Sequence, residues 1–210
     1  MQVADNVFLL QATKGAYAYL VCGAETVLID TGLPWQGKGI IRELAAMGVQ
    51  PRDIKQILLT HYDVDHIGNA ALLQEATGAK LWASETEIPY IRGDRPRPGF
   101  KKYLPYLLRV RRPEKLNAYV PGESIGGVKA EPTPGHTPGH VCLLYKDVLF
   151  AGDLVENKNG RLRPYPAAWN WNGPVLRESI KTVAALPFRL VCPAHGLPIE
   201  RGGQWENLPR

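Results

Sequence analysis

Cysteine is scarce in this sequence. Cys22, Cys142 and Cys192 are far apart and odd in number, which fits neither a disulfide framework nor a paired-cysteine metal motif and suits a reducing, cytoplasmic setting. Each lies in an apolar stretch and reads as a small buried hydrophobe. Cys192 stands three residues before His195, so a ligand role for it stays open. Long hydrophobic runs are also missing: no stretch approaches the roughly 18 residues that a membrane span needs. The opening residues, Met1 to Asn6, have neither the basic nor the apolar region of a secretory signal. No low-complexity tract and no fixed-period repeat occurs. A membrane span, a disulfide scaffold and a repeat architecture are therefore not expected.

What remains is an ordinary globular balance. The chain has 210 residues, 45% hydrophobic and 21% charged, enough for one well-buried domain and short for two. We expect a single domain over residues 1–210. The net charge of +5 is uneven: residues 92–115 carry nine Lys and Arg against Asp94 and Glu114. The basic character thus belongs to one block. We delimit it as an insertion over residues 93–118 and a candidate lid.

Short β-rich runs fill the N-terminal third: Val7–Leu10, Ala16–Val21 and Thr26–Ile29. Ile40, Ile41, Leu44 and Met47 predict a helix over residues 39–47, stopped by Gly48. A strand over 54–59, a helix over 69–76 and a strand over 80–83 follow. Further strands are expected at 128–131, 141–145, 148–151 and 190–192, with a helix over 174–186. Strands interleaved with helices in both halves indicate an α/β layered sandwich.

The five histidines, His61, His66, His136, His140 and His195, all fall just past predicted strands or in Gly/Pro-rich turns. None falls inside a predicted helix. A lone histidine in such a place is usually a solvated or satisfied side chain. Their company changes that reading. Thr60-His61-Tyr62-Asp63-Val64-Asp65-His66 packs four potential ligands into six residues at a strand end. Clustered carboxylates repel one another, and divalent cations would offset the repulsion. The bland alternative is a polar loop in which Asp65 caps the following helix. Gly135-His136-Thr137-Pro138-Gly139-His140, Gly152-Asp153 and Pro193-Ala194-His195-Gly196 each add a ligand-type residue in a tight turn. Imidazole and carboxylate together suit Zn, Fe or Mn.

This ordered series resembles the metallo-β-lactamase superfamily. It runs from Asp30 after a strand, through the His-rich loop, Gly-His-Thr-Pro-Gly-His and Gly-Asp, to the late His-Gly, and spans about residues 7 to 200. The resemblance implies an αββα four-layer sandwich with a two-metal site at one edge of the sheets. It places His61, Asp63 and His136 on one ion and Asp65, His66 and His195 on the other, with Asp153 bridging. Asp30 resembles a buried aspartate that orients the ligands by hydrogen bonds. His140 falls at a motif position that is usually not a ligand and is read as structural or as supporting a ligand. One position departs from the family loop His-x-His-x-Asp-His: Asp63 stands where the second histidine is expected. The implied cofactors are two divalent ions, zinc first, with Fe or Mn open because a carboxylate is a harder ligand.

The resemblance also implies a hydrolase that uses a metal-bound hydroxide, with Asp65 orienting the nucleophile and moving a proton. The Gly-His-Thr-Pro-Gly-His turn resembles the glyoxalase II-like branch, so an ester, thioester or lactone is the expected small-molecule substrate. Three alternatives remain: a phosphodiesterase or nuclease, favoured by the basic block; a diiron redox enzyme, favoured by Asp63; and a metal-binding module without turnover. No clear nucleic-acid partner is indicated. Within the insertion, Phe100, Tyr103, Leu104, Leu107 and Leu108 follow helical spacing and predict a short amphipathic helix over the site. A homodimer through its apolar face is a candidate assembly. Phe100 and Tyr103, together with Tyr165, Trp169 and Trp171 in a later Pro/Gly-containing loop, are the candidate substrate contacts.

Overall fold

A computed structural model describes residues 1–208, apart from the side chain of Phe100. Among these residues the backbone forms two main sheets. The first has seven strands in sequence order: β1 (Gln2–Ala4), β2 (Val7–Leu9), β3 (Tyr19–Cys22), β4 (Thr26–Ile29), β5 (Ile54–Leu58), β6 (Lys80–Ala83) and β7 (Asn117–Ala118). The second holds β8 (Ser124–Ile125), β9 (Val128–Pro132), β10 (Val141–Tyr145), β11 (Val148–Gly152), β14 (Leu190–Pro193) and β15 (Ile199–Glu200), in the order β15-β14-β11-β10-β9-β8. A separate hairpin pairs β12 (Val155–Lys158) with β13 (Arg161–Pro164). The helices are α1 (Gly37–Ala46), α2 (Val64–Ile67), α3 (Ala70–Thr77), α4 (Ile88–Arg92), α5 (Leu104–Leu107) and α6 (Gly173–Ala184).

Period-2 alternation builds the layers. In β4, Val27 and Ile29 face the second sheet while Leu28 faces α1 and α3. In β11, Val148 and Phe150 face the first sheet while Leu149 and Ala151 face α6. Each sheet is therefore apolar on both faces and needs a helix layer outside it. Ile40, Leu44 and Leu73 cover the first sheet, and Leu176, Ile180 and Val183 cover the second. The result is the αββα sandwich.

Two parallel pairings set where the site can form. β4 runs parallel to β5, and β11 parallel to β14. The carboxyl ends of these strands lie on common edges, where crossover connections leave a crevice. The loops after β4, β5, β11 and β14, and the turn between β9 and β10, carry the singled-out residues.

Several local expectations change. His66 lies within α2, not outside a helix. That helix is four residues long and shows no periodicity to read. The insertion does not form one amphipathic helix. Gly99–Tyr103 is a 3-10 turn that passes into α5, with Pro105 at the junction, because proline cannot donate within a continuous helix. Of the apolar stripe, Tyr103 and Leu107 are exposed and Leu104 and Leu108 half-buried, while Lys101 is buried. Among the cysteines, Cys142 and Cys192 are buried and Cys22 is half-buried. The chain also folds β1, β7, β8, β12, β13, β15 and α4, which the sequence patterning does not mark.

Candidate metal centre

The loop after β5 begins the site. Thr60 lies two residues past β5, and its carbonyl accepts from Val141 N–H at 3.0 Å, tying this loop to the second sheet. Asp63 holds the N-cap position of α2 in an extended conformation, with no side-chain cap bond. Its carboxylate is thus turned to the site and not spent on the helix. Asp65 sits in the first turn and does not hold the N-cap position.

Asp30 organises the histidines from beneath. It sits at φ 57°, a left-handed conformation that aspartate tolerates better than most residues. Its carboxylate accepts from the Thr60 N–H at 2.9 Å and the Thr60 hydroxyl at 2.8 Å, and lies 2.8 Å from His66 Nδ1. With its proton given to Asp30, the Thr60 oxygen is left to accept from His61 Nδ1 at 3.0 Å. Both rings are thereby turned with Nε2 facing inward.

The turn between β9 and β10 brings His136. Asn170 donates through Nδ2 to the Tyr165 carbonyl at 2.9 Å, so its Oδ1 faces His136 Nδ1 at 3.0 Å. That assigns a proton to Nδ1, so in the neutral ring Nε2 directs its lone pair into the site. His140, four residues on, uses both nitrogens elsewhere: Nε2 accepts from the Asp153 N–H at 3.1 Å, and Nδ1 bonds Thr133 Oγ1 at 2.9 Å. His140 holds Asp153 in place. Gly152, at φ +49°, makes this possible, since a Cβ there would collide with His140 Nε2 and Thr60. Glu87 buckles the two loops, accepting from Tyr62 N–H at 2.7 Å and Gly139 N–H at 2.8 Å.

Around Asp153 the inward atoms fall into two sets. Asp153 Oδ2 lies 3.9 Å from His61 Nε2 and 3.4 Å from His136 Nε2, and Asp63 Oδ2 lies 3.0 Å from His136 Nε2. Asp153 Oδ1 lies 3.4 Å from both His66 Nε2 and His195 Nε2, and Asp65 Oδ2 lies 3.4 Å from His195 Nε2. The edge of a tetrahedron of ligands about 2.1 Å from a zinc-like ion is about 3.4 Å. His61, Asp63, His136 and Asp153 form one group with metal-site spacing, and Asp65, His66 and His195 form another. His61 Nε2, Asp63 Oδ1, His66 Nε2, Asp153 Oδ1 and His195 Nε2 are buried without a hydrogen-bond partner. Such groups carry a desolvation cost unless something binds them. The residues fit divalent cations.

The electrostatics agree. Burial pushes the Asp63 carboxyl up, but His136, His61 and Lys101 outweigh it and hold it well below the usual range. Asp153 is held low in the same way, by His195, His66 and His136 against burial. Burial would lower His195, yet Asp153 and Asp65 raise it to about 10. His66 is likewise raised against burial, by Asp30 and Asp153. In the apo form these imidazoles hold protons that a cation would displace. Burial lowers His61 and brings His140 to about 3, so both rings stay neutral.

The family model described as the metallo-β-lactamase superfamily matches residues 13–195. The chain belongs to the metallo-β-lactamase superfamily. It is a metallo-hydrolase of that group with a His/Asp cluster able to bind metal. A Bacillus subtilis (strain 168) protein named "Probable metallo-hydrolase YflN" is 29% identical, over 95% of this chain and 83% of that one. A hydroxyacylglutathione hydrolase of Cereibacter sphaeroides is 29% identical, over 85% of this chain and 62% of that one. A solved metallo-β-lactamase family protein of Thermus thermophilus shares the fold at a TM-score of 0.76 and 24% identity, over 98% of this chain and 79% of that one. No helix among the described residues is long and apolar enough to cross a membrane.

The aromatic candidates separate. Tyr165 is at the site, its ring edge-on to His136 at 4.8 Å and 5.2 Å from His195. Trp169 and Trp171 are partly exposed on the same loop. Tyr103 is exposed on the insertion and borders a cavity of 370 Å³. Phe100 lies outside the described side chains. Cys192 packs between the sheets and joins neither donor group. Sequence reasoning missed Thr60, Glu87, Thr133 and Asn170, which orient the site, and the insertion's Lys101 and Arg97. The composition of residues 92–115 carried a signal for the last two, but nothing said which of nine basic side chains turns inward.

Proposed function

We propose that this chain hydrolyses an ester, thioester or lactone at a two-ion centre formed by His61, Asp63, Asp65, His66, His136, Asp153 and His195. The observation that carries this reading is the pair of inward donor sets that share the two oxygens of Asp153. Bound divalent ions supply Lewis acidity and an ionised water near neutral pH. The protein's own groups do the rest. Asp65, half-buried at the mouth beside His195, accepts the proton of the attacking water and returns it to the leaving group. Asp30, through Thr60 and His66, keeps the imidazoles in register. Tyr165 walls the site and is held neutral, because burial and the carboxylates of Asp153, Asp65 and Asp63 raise its hydroxyl above the phenol range.

The basic insertion over residues 93–118 covers one side as a lid. Between it and the core lies the 370 Å³ cavity, lined by Ile67, Tyr90, Arg95, Arg97, Tyr103 and Tyr106 among others. Arg97 on its wall is buried, stacks over Tyr62 at 5.2 Å and leaves Nε and Nη1 unpaired. The acyl or alcohol moiety of the proposed substrate would lie there, beside the centre through Arg97, which feels the charges of Asp63 and Asp65. The hydroxyacylglutathione hydrolase relative supports a thioester among the candidates. Metal-loaded protein assayed against an ester, thioester and lactone panel tests the reading, and no turnover of any member sinks it. The arginines of the cavity wall favour phosphodiesters as a second reading, and a salt-sensitive complex with RNA or DNA would support that one instead.

A further inference from the structure

The first donor set already faces a cation of the protein's own. Lys101, in the Gly99–Tyr103 turn of the insertion, is buried, and its ammonium donates to Asp63 Oδ2 at 2.5 Å and to His136 Nε2 at 3.3 Å. Asn170 holds the proton on His136 Nδ1, so in the neutral ring Nε2 is the acceptor. Asp63 Oδ2 and His136 Nε2 lie 3.0 Å apart, and whenever Nε2 carries no proton both are acceptors that need a positive charge beside them. Lys101 supplies that charge. An ion bound to the same two atoms at about 2.0–2.2 Å would need the space that the ammonium fills. No bond or ion pair joins Lys101 to Asp65, His66 or His195, whose inward atoms contact Asp153 and one another.

We propose that Lys101 and a metal ion are alternative occupants of the His61–Asp63–His136 position, so that the two metal equivalents bind unequally. This rests on the metal-centre reading above. The first equivalent enters the Asp65–His66–His195 set with Asp153. The second enters only when Lys101 withdraws, which moves the turn that carries it. The inference also gives Asp63 a reason: a carboxylate accepts an ammonium at close range, whereas an imidazole in its place would bring no negative charge to hold it.

The test is a titration of metal-free protein with Zn(II) against a chromophoric chelator, with bound metal counted by mass spectrometry. Wild type is expected to take up two equivalents at least 100-fold apart in affinity. Lys101→Met should tighten the second by tenfold or more. Lys102→Met, which removes the same charge from an exposed neighbour, should leave both equivalents unchanged. Lys101→Gln serves if the methionine variant does not fold. Two equal equivalents in wild type, or a second equivalent unmoved by either Lys101 variant, overturns the proposal and leaves the two-ion hydrolase standing. No uptake by any of the proteins overturns the metal reading and this proposal with it.

Discussion

Asp30 and Thr60 meet twice, backbone N–H to Oδ1 at 2.9 Å and hydroxyl to Oδ2 at 2.8 Å. Through that double contact one carboxylate sets the rotation of both His61 and His66. Asp30→Asn keeps the shape but removes the charge that fixes His66 Nδ1–H and offers an N–H where an acceptor is needed. Metal affinity should fall about 10–100-fold, measured by chelator competition. An unchanged affinity would show that the rings are held by packing alone.

His61→Ala and Asp153→Ala should separate in their effect on metal content. Asp153 serves both donor sets, so its loss should reduce both equivalents. His61 belongs to one set, so its loss should spare the other. Mass spectrometry of protein purified without chelator gives the count.

Removing metal should lower thermal stability. An ion at about 1,000 times its Kd stabilises the native state by about 4 kcal/mol, which for a chain of this size is on the order of 10 °C in Tm. A chelator scan by calorimetry checks it. A Tm indifferent to chelator would argue that no ion is held.

His140 predicts acid sensitivity with a definite sign. Burial brings the folded ring to about 3, against about 6.5 unfolded. Below pH 6.5 the unfolded chain takes a proton that the native ring refuses. The stability this ring contributes is complete above pH 6.5 and is lost as the pH falls toward 3, on the order of 5 kcal/mol in all. Tm measured across that range should fall less steeply in His140→Gln than in wild type, after allowing for the variant's lower starting stability. Equal slopes would assign the acid loss to other groups.

Glu87 carries the opposite trend. Burial raises its carboxyl to about 7 despite the bonds from Gly139 and Tyr62, so its contribution is complete below about pH 4.5 and declines as the pH rises toward 7. Glu87→Ala strands two buried N–H groups, at about 1–3 kcal/mol each. The loss of stability, read by denaturant unfolding, should exceed 2 kcal/mol.

Much of this was legible in the sequence because the features were local. The alternation in β4, β10 and β11 and the ordered motifs around His61, His136, Asp153 and His195 each sit within a few residues of chain. The unread parts are those fixed by distant packing. Two-residue strands such as β7 and β8 have no pattern to see. Asn170 meets His136 across 34 positions, and Glu87 meets Gly139 across 52. The insertion misled because its apolar spacing promised one continuous helix, whereas Pro105 splits it into a 3-10 turn and a short helix, and the side chain that turns inward is Lys101, drawn to Asp63.

The site is stitched from both sheets, and that has a consequence for how the protein comes into being. A nascent chain that has extended past Asp65 and His66 holds half of each donor set and can close neither. The His61 set becomes whole only once Asp153 has emerged, and the His66 set only with His195. A stalled or truncated product therefore lacks a complete cluster however well its first sheet has formed, and the donors able to bind metal come together only when the second sheet has docked on the first.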